Sequence, residues 1–145
     1  YTKFMTRFRV GFQDTDSTGR VYFPSYVRWF DIAFIEHLRS RGIVFDPQGR
    51  LKIGDKLLNS TLVIGEYHCR IEKPSGYDDE VEAEIASTES GNKSLKVFFN
   101  LRDPRGNLLA HGYITYVMVD LGTGRAVPLD EKLLKTILDN SRAKT

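Results

Sequence analysis

Between Pro24 and Gly42 the chain carries a helical pattern that no isolated helix keeps. At about 100° per residue, Tyr26, Val27, Trp29, Phe30, Ala33, Phe34, His37 and Leu38 cover far more than one narrow stripe. Charged Arg28, Asp31, Glu36 and Arg39 share the remaining sector with Ile32 and Ile35. Helix propensity is too weak to hold such a segment, so other structure must wrap it. Pro24 suits the first helical turn, where its missing N–H removes nothing, and Gly42 is placed to close the helix in a left-handed cap. The expectation is a central helix gripped by a curved sheet and partly covered by a second subunit.

The rest of the chain supplies that sheet. Residues 4–12 alternate, with Phe4, Thr6, Phe8, Val10 and Phe12 on one face and Lys3, Met5, Arg7 and Arg9 on the other, which predicts a half-buried strand. Residues 43–55 read as an irregular loop, and 57–65 and 66–72 as two extended segments broken by Pro74 and Gly76. Val81, Ala83 and Ile85 alternate with Glu80, Glu82 and Glu84, giving a strand with one wet face. A turn at Gly91-Asn92 leads into Leu95, Val97, Phe99 and Leu101, again at period two. Asp103-Pro104-Arg105-Gly106 is hairpin-turn chemistry, and residues 109–120, apolar on both faces, read as a central strand. Leu133, Leu134, Ile137 and Leu138 predict a short amphipathic helix capped by Asp130. A strand, a long helix and then consecutive antiparallel strands make an α+β layer packing over a single domain, residues 1–145.

Composition excludes several classes. The 21 basic and 19 acidic side chains leave a formal charge of +2, which gives no support for a nucleic-acid binder. Cys69 is the sole cysteine, so an internal disulfide is impossible and a reducing, cytoplasmic setting is the expectation. No apolar run approaches the roughly 20 residues that cross a bilayer. Tyr1 stands where a natural start would have Met, so further sequence is expected upstream.

Asp14 and Asp16 are the chemically notable residues, set in a turn just before the aromatic helix. Asp14-Thr15-Asp16-Ser17-Thr18-Gly19 imitates the start of a calcium loop, but a strand precedes it and Ser25 occupies the position that needs a glutamate. Two roles stay open on the residues alone. Aspartates stabilise turns by bonding backbone amides. A carboxylate beside a helix N-terminus also supplies half of an acyl-transfer site. His37 reads as a core or interface histidine. His68 and Cys69 are strand neighbours whose side chains point to opposite faces, so they do not form a nucleophile pair. His111 has no recognisable partner, and no metal-ligand spacing occurs. Asn92, Lys93 and Ser94, with Arg70 and Arg102, make either a phosphate-contacting edge or ordinary solvated surface.

Asp14-Thr15-Asp16, Gly19, Val21-Tyr22, Pro24, Tyr26 and Arg28-Trp29 resemble the signature of hotdog-fold acyl-CoA thioesterases of the 4-hydroxybenzoyl-CoA thioesterase type. Residues 73–79 (Lys-Pro-Ser-Gly-Tyr-Asp-Asp), Val119-Asp120 and Thr123-Gly124-Arg125 also look like family segments. The resemblance implies a hotdog fold: an antiparallel sheet of about five strands around one long central helix. It also implies that Asp16 is catalytic, as nucleophile or general base, and that backbone amides at the helix start, Phe23 N–H foremost, hold the oxyanion. Substrate contacts would fall to Tyr22 and Tyr26, pantetheine and nucleotide contacts to Asn92, Lys93 and Ser94, and a partner-subunit contact to His68. A related branch carries histidine where this chain has Phe23, which leans towards aromatic acyl groups. The expected function is hydrolysis of an acyl-CoA or acyl-carrier-protein thioester by a homodimer or homotetramer, with no metal, and with no cofactor beyond the CoA of the substrate. The rival expectations are a hydratase or dehydratase using His37, and a non-catalytic acyl-CoA binder.

Overall fold

A computed structural model describes residues 5–138; Phe4, expected in the first strand, lies outside them. Eight strands and two helices follow in the order β1 (Met5–Arg9), α1 (Phe23–Ser40), β2 (Ile43–Phe45), β3 (Leu51–Ile53), β4 (Lys56–Leu57), β5 (Ser60–Ile71), β6 (Glu80–Ser90), β7 (Ser94–Arg102), β8 (Leu108–Asp120) and α2 (Glu131–Leu138). The main sheet has the order β1-β6-β7-β8-β5 and every pairing in it is antiparallel. The expected strand–helix–strands order is therefore present, with the last long strand, β8, in an interior position.

The sheet curves around α1, whose buried residues are Ser25, Tyr26, Trp29, Phe30, Ala33, Phe34 and Leu38. Phe30 stacks on Phe99 at 4.9 Å and Phe34 on Tyr116 at 4.5 Å, so aromatic pairs join helix to sheet. Such pairs add about 0.5–1.5 kcal/mol each beyond the area they bury. The alternating residues of β6 and β7 complete the core with Val81, Ala83, Leu95, Val97, Phe99 and Leu101. Gly42 has φ +80° and closes the helix as its position requires. Asp130 accepts a hydrogen bond from Leu133 N–H at 3.0 Å, capping α2 as expected.

Three expectations are corrected. Residues 43–55 are not simply a loop, because β2, β3 and β4 form a small antiparallel sheet of two to three residues per strand. Strands that short leave no periodicity to read. The first strand stops at Arg9, and Phe12 sits in a 3-10 turn (Phe12–Asp14) with its ring 80% exposed instead of facing the core. The two segments 57–65 and 66–72 merge into β5, interrupted by a bulge at Gly65 where Ile64 pairs with Tyr116 and Glu66 with Thr115. Ile32 and Ile35 are half-covered within the one chain. Edge strand β5 carries several exposed apolar residues, Val63, Ile64, Tyr67 and Ile71.

Candidate active site

The two aspartates sit on a small hairpin that delivers the chain to α1. Tyr22 N–H donates to the Asp14 carbonyl at 2.6 Å, Thr15 bridges Val21, and Asp16 N–H donates to the Arg20 carbonyl at 2.9 Å. Gly19, at φ +78°, makes the tip. Residues 73–79 lie against the hairpin's outer leg: Val21 N–H donates to the Ser75 carbonyl at 2.9 Å and Tyr77 N–H to the Gly19 carbonyl at 3.2 Å. The second sequence segment that resembles thioesterases is thus the buttress of the first.

The structure places the two carboxylates in different surroundings. Asp14 is buried and fully engaged, accepting from Gly11 N–H at 2.9 Å and pairing with the Arg28 guanidinium. Asp16 is exposed in the single chain, with one carboxylate oxygen accepting from Thr18 N–H at 2.8 Å and Thr18 Oγ1 at 2.6 Å. These bonds hold its pKa below the ordinary aspartate value, the hydroxyl contributing most. The backbone amide of Arg20 also acts on the carboxylate and lowers its pKa further.

The start of α1 leaves a donor open. Ser25 N–H is taken by the Tyr22 carbonyl at 2.9 Å, and Pro24 has no N–H. Phe23 N–H, the first amide of an 18-residue helix, meets no acceptor among the described residues. An unclaimed amide at the positive end of a helix is a ready oxyanion donor.

The profile of the thioesterase-like superfamily matches residues 10–137, from the hairpin to the last helix. The chain belongs to that superfamily. A curated candidate esterase of Aquifex aeolicus (strain VF5) is 34% identical over 82 residues, which span 57% of this chain and 59% of that relative. The BH1999 gentisyl-coenzyme A thioesterase superposes with a TM-score of 0.72 at 26% identity, covering 90% of this chain and 98% of the other. A 1,4-dihydroxy-2-naphthoyl-CoA thioesterase from Synechocystis superposes at 0.79 with 18% identity, covering 97% and 98%. The architecture is the hotdog fold of these proteins.

Within this thioesterase-like chain the remaining expected site residues do not all converge. Tyr22 is exposed at the helix cap. Tyr26 is 1% exposed, its ring edge-on to Trp29 at 5.8 Å and its phenol pushed up to about 12 by burial, so it is a core residue. Asn92, Lys93 and Ser94 lie at the far end of the sheet from the Asp16 hairpin, with β6, 11 residues long, between them. One chain therefore does not bring that turn to its own Asp16. Arg70 is paired with Glu72 at 3.2 Å, and Arg102 with Glu84 at 3.1 Å. His37 stands 14 residues along α1 from Phe23, roughly 21 Å at helical rise, and burial lowers its pKa to about 4.

His68 is on the other face of the sheet. It stacks on Tyr113 at 5.4 Å and lines a shallow outer groove with Phe98, Asn100 and His111. The extra residue at Gly65 inverts the alternation beyond it, so Tyr67 and Cys69 point towards α1 and His68 away from it. Tyr67, which the sequence reading did not single out, has its ring 6.5 Å from that of Phe23. Gly65-Glu66 between two apolar runs was the available sign of the bulge. Among the described residues no group of three His, Cys, Asp or Glu side chains is arranged to hold a metal, and no helix is long and apolar enough to cross a membrane.

Proposed function

We propose that the protein hydrolyses acyl thioesters, of CoA or of an acyl carrier protein, using Asp16 and the Phe23 amide. The carrying observation is that amide: an unclaimed donor at the start of α1, directly after the hairpin leg that faces the one holding Asp16. A thioester carbonyl oxygen bound there develops negative charge as the carbon turns tetrahedral, and the helix start stabilises it.

Asp16 is held in its ionised form by Thr18, below the pKa that suits a general base at neutral pH. The ionised carboxylate is available for direct attack. Its carboxylate oxygen adds to the carbonyl carbon and the thiolate leaves, forming a mixed anhydride. Water then attacks the anhydride at the Asp16 carboxyl carbon, so its oxygen stays on the restored Asp16 carboxylate while the acyl group leaves as the product acid. His37, about four turns down the helix, is too remote to serve a dehydratase at the same carbonyl.

The site closes in a dimer. β5 is a 12-residue edge strand with an unpaired side and exposed Val63, Ile64, Tyr67 and Ile71, a surface that pairs with another strand rather than with water. A second copy lying antiparallel along β5 covers the helix start. It also offers the partner's Asn92 turn, which no chain brings to its own Asp16.

The test is a panel of aromatic and linear acyl-CoAs with thiol detection, run on wild type, Asp16→Asn and His37→Ala, with mass determined in solution. Asn at position 16 keeps an acceptor for Thr18, so the fold stays intact while turnover falls by orders of magnitude, and His37→Ala retains turnover. Single turnover in heavy-oxygen water places the label on Asp16. Full activity of Asp16→Asn, or an unlabelled Asp16, would rule out this mechanism; a monomeric active enzyme rules out the dimeric site.

A further inference from the structure

Two donors from one residue meet a single oxygen of Asp16. Thr18 N–H donates to Asp16 Oδ1 at 2.8 Å, and the Thr18 hydroxyl donates to the same atom at 2.6 Å. An amide two positions beyond an aspartate is the ordinary bond of such a turn. Other aspartate turns of this chain are held at Oδ1 by backbone amides, Asp46 by Gln48 and Arg50, and Asp103 by Arg105 and Asn107. The hydroxyl of exposed Thr18 is an addition to that pattern, and it falls on the carboxylate the reaction uses.

Its placement bears on the second half of the reaction. Attack through Oδ2 makes that atom the bridging oxygen of the mixed anhydride. Oδ1 then becomes the carbonyl oxygen of the Asp16 half. Water adding to the Asp16 carboxyl carbon breaks the π bond to Oδ1 and leaves the electron pair on that oxygen. Donors about 2.7–3.1 Å from the atom where charge develops stabilise such an oxyanion, and both Thr18 donors are at Oδ1 before reaction begins. Collapse re-forms the carbonyl and breaks the bond to Oδ2, which leaves with the acyl group as the product carboxylate. The water oxygen stays on Asp16. One water proton balances the departed thiolate and the other passes to solvent.

We infer that Thr18 is a further catalytic residue, whose hydroxyl and amide form an oxyanion site for hydrolysis of the anhydride at the Asp16 carboxyl carbon. This rests on the proposed thioesterase reading with Asp16 as nucleophile. The experiment follows single turnovers of benzoyl-CoA and hexanoyl-CoA, radiolabelled in the acyl group, on wild type, Thr18→Val, Thr18→Ser and Asp16→Asn. Thiol release and acid release are timed separately, and the melting temperature of each variant is measured. Valine keeps the branched shape and the N–H but lacks the hydroxyl. In Thr18→Val, thiol release should stay within about threefold of wild type while acid release slows by about tenfold or more and acyl-enzyme accumulates. Thr18→Ser, which keeps the hydroxyl, should bring acid release back to within about threefold of wild type. Thiol and acid release falling together in Thr18→Val mean a merely turn-stabilising threonine and overturn the inference. Unchanged acid release in Thr18→Val, or no rescue by serine, overturns it too. Wild type releasing no thiol, or Asp16→Asn at full activity, overturns the underlying reading instead, and the inference with it.

Discussion

Arg28 and Asp14 are ion-paired across the junction between the hairpin and α1, with the carboxylate buried and the guanidinium half in solvent. The same carboxylate holds Gly11 N–H, and the Asp14 carbonyl accepts from Tyr22 N–H and from Ser25 Oγ at 3.2 Å. One residue thus orients the chain before and after the turn. Asp14→Ala leaves a buried amide and a cation without their acceptor, and should lower stability by about 2–3 kcal/mol. Arg28→Ala should lower it by about 1 kcal/mol, since its partner keeps the Gly11 bond and its own head is half hydrated. Urea unfolding of both single variants and the double variant measures this, and a double variant whose loss equals the sum of the two contradicts the coupling.

Tyr116 donates a hydrogen bond to Asp31 at 2.9 Å, inside the helix–sheet contact. Burial raises the Asp31 pKa above the ordinary value, against the opposing pull of that bond. A carboxyl with a raised folded-state value favours the fold while protonated. Its contribution is complete below 3.8, the unperturbed value, and is lost as pH rises through the folded value. Asp31→Asn keeps an acceptor for Tyr116 without the charge. It should raise the urea midpoint at pH 7, with the gain vanishing in acid; a loss at pH 7 contradicts the sign.

Gly112 pairs with Cys69 in the β5–β8 ladder, and a Cβ there would run into the His68 carbonyl. The obstruction is backbone, so no rotamer change relieves it. Gly112→Ala should cost about 3 kcal/mol or more and loosen β5 selectively. Hydrogen exchange comparing β5 amides with β6 amides would reveal this, and a variant with wild-type protection across β5 would refute it.

Cys69 is half-buried on the inner face, and burial pushes its thiol up to about 11 from 9.0. The thiolate fraction at pH 8 is then lower by roughly a hundredfold, and reactivity follows the thiolate. Ellman's reagent at pH 8 should titrate no thiol promptly in the folded protein and one in denaturant. A fast native reaction would place Cys69 on the surface.

Much of this molecule was legible in the residues. The strand–helix–strands order followed from apolar periodicity, the α2 cap from Asp130, the helix end from Gly42, and the hairpin from its Asp and Gly content. These are local properties, determined by backbone sterics and by side chains a few positions apart. The different surroundings of Asp14 and Asp16 were not legible in the residues themselves. Both precede the helix in a short turn segment, and the pairing of Asp14 with Arg28, 14 residues later, is a contact that local sequence does not announce.

The same limit applied to β5. Alternation told that residues near 67 and 68 face opposite ways, but a sequence does not say which way either points. That choice was made by pairing with β8, where a single unmatched residue at Gly65 turned Tyr67 inward and His68 outward. Local sequence determined which elements form, because each element's geometry is closed within a few residues. Tertiary structure decided which side chains meet at the helix start, because register between strands distant in sequence is settled only by burying their shared face.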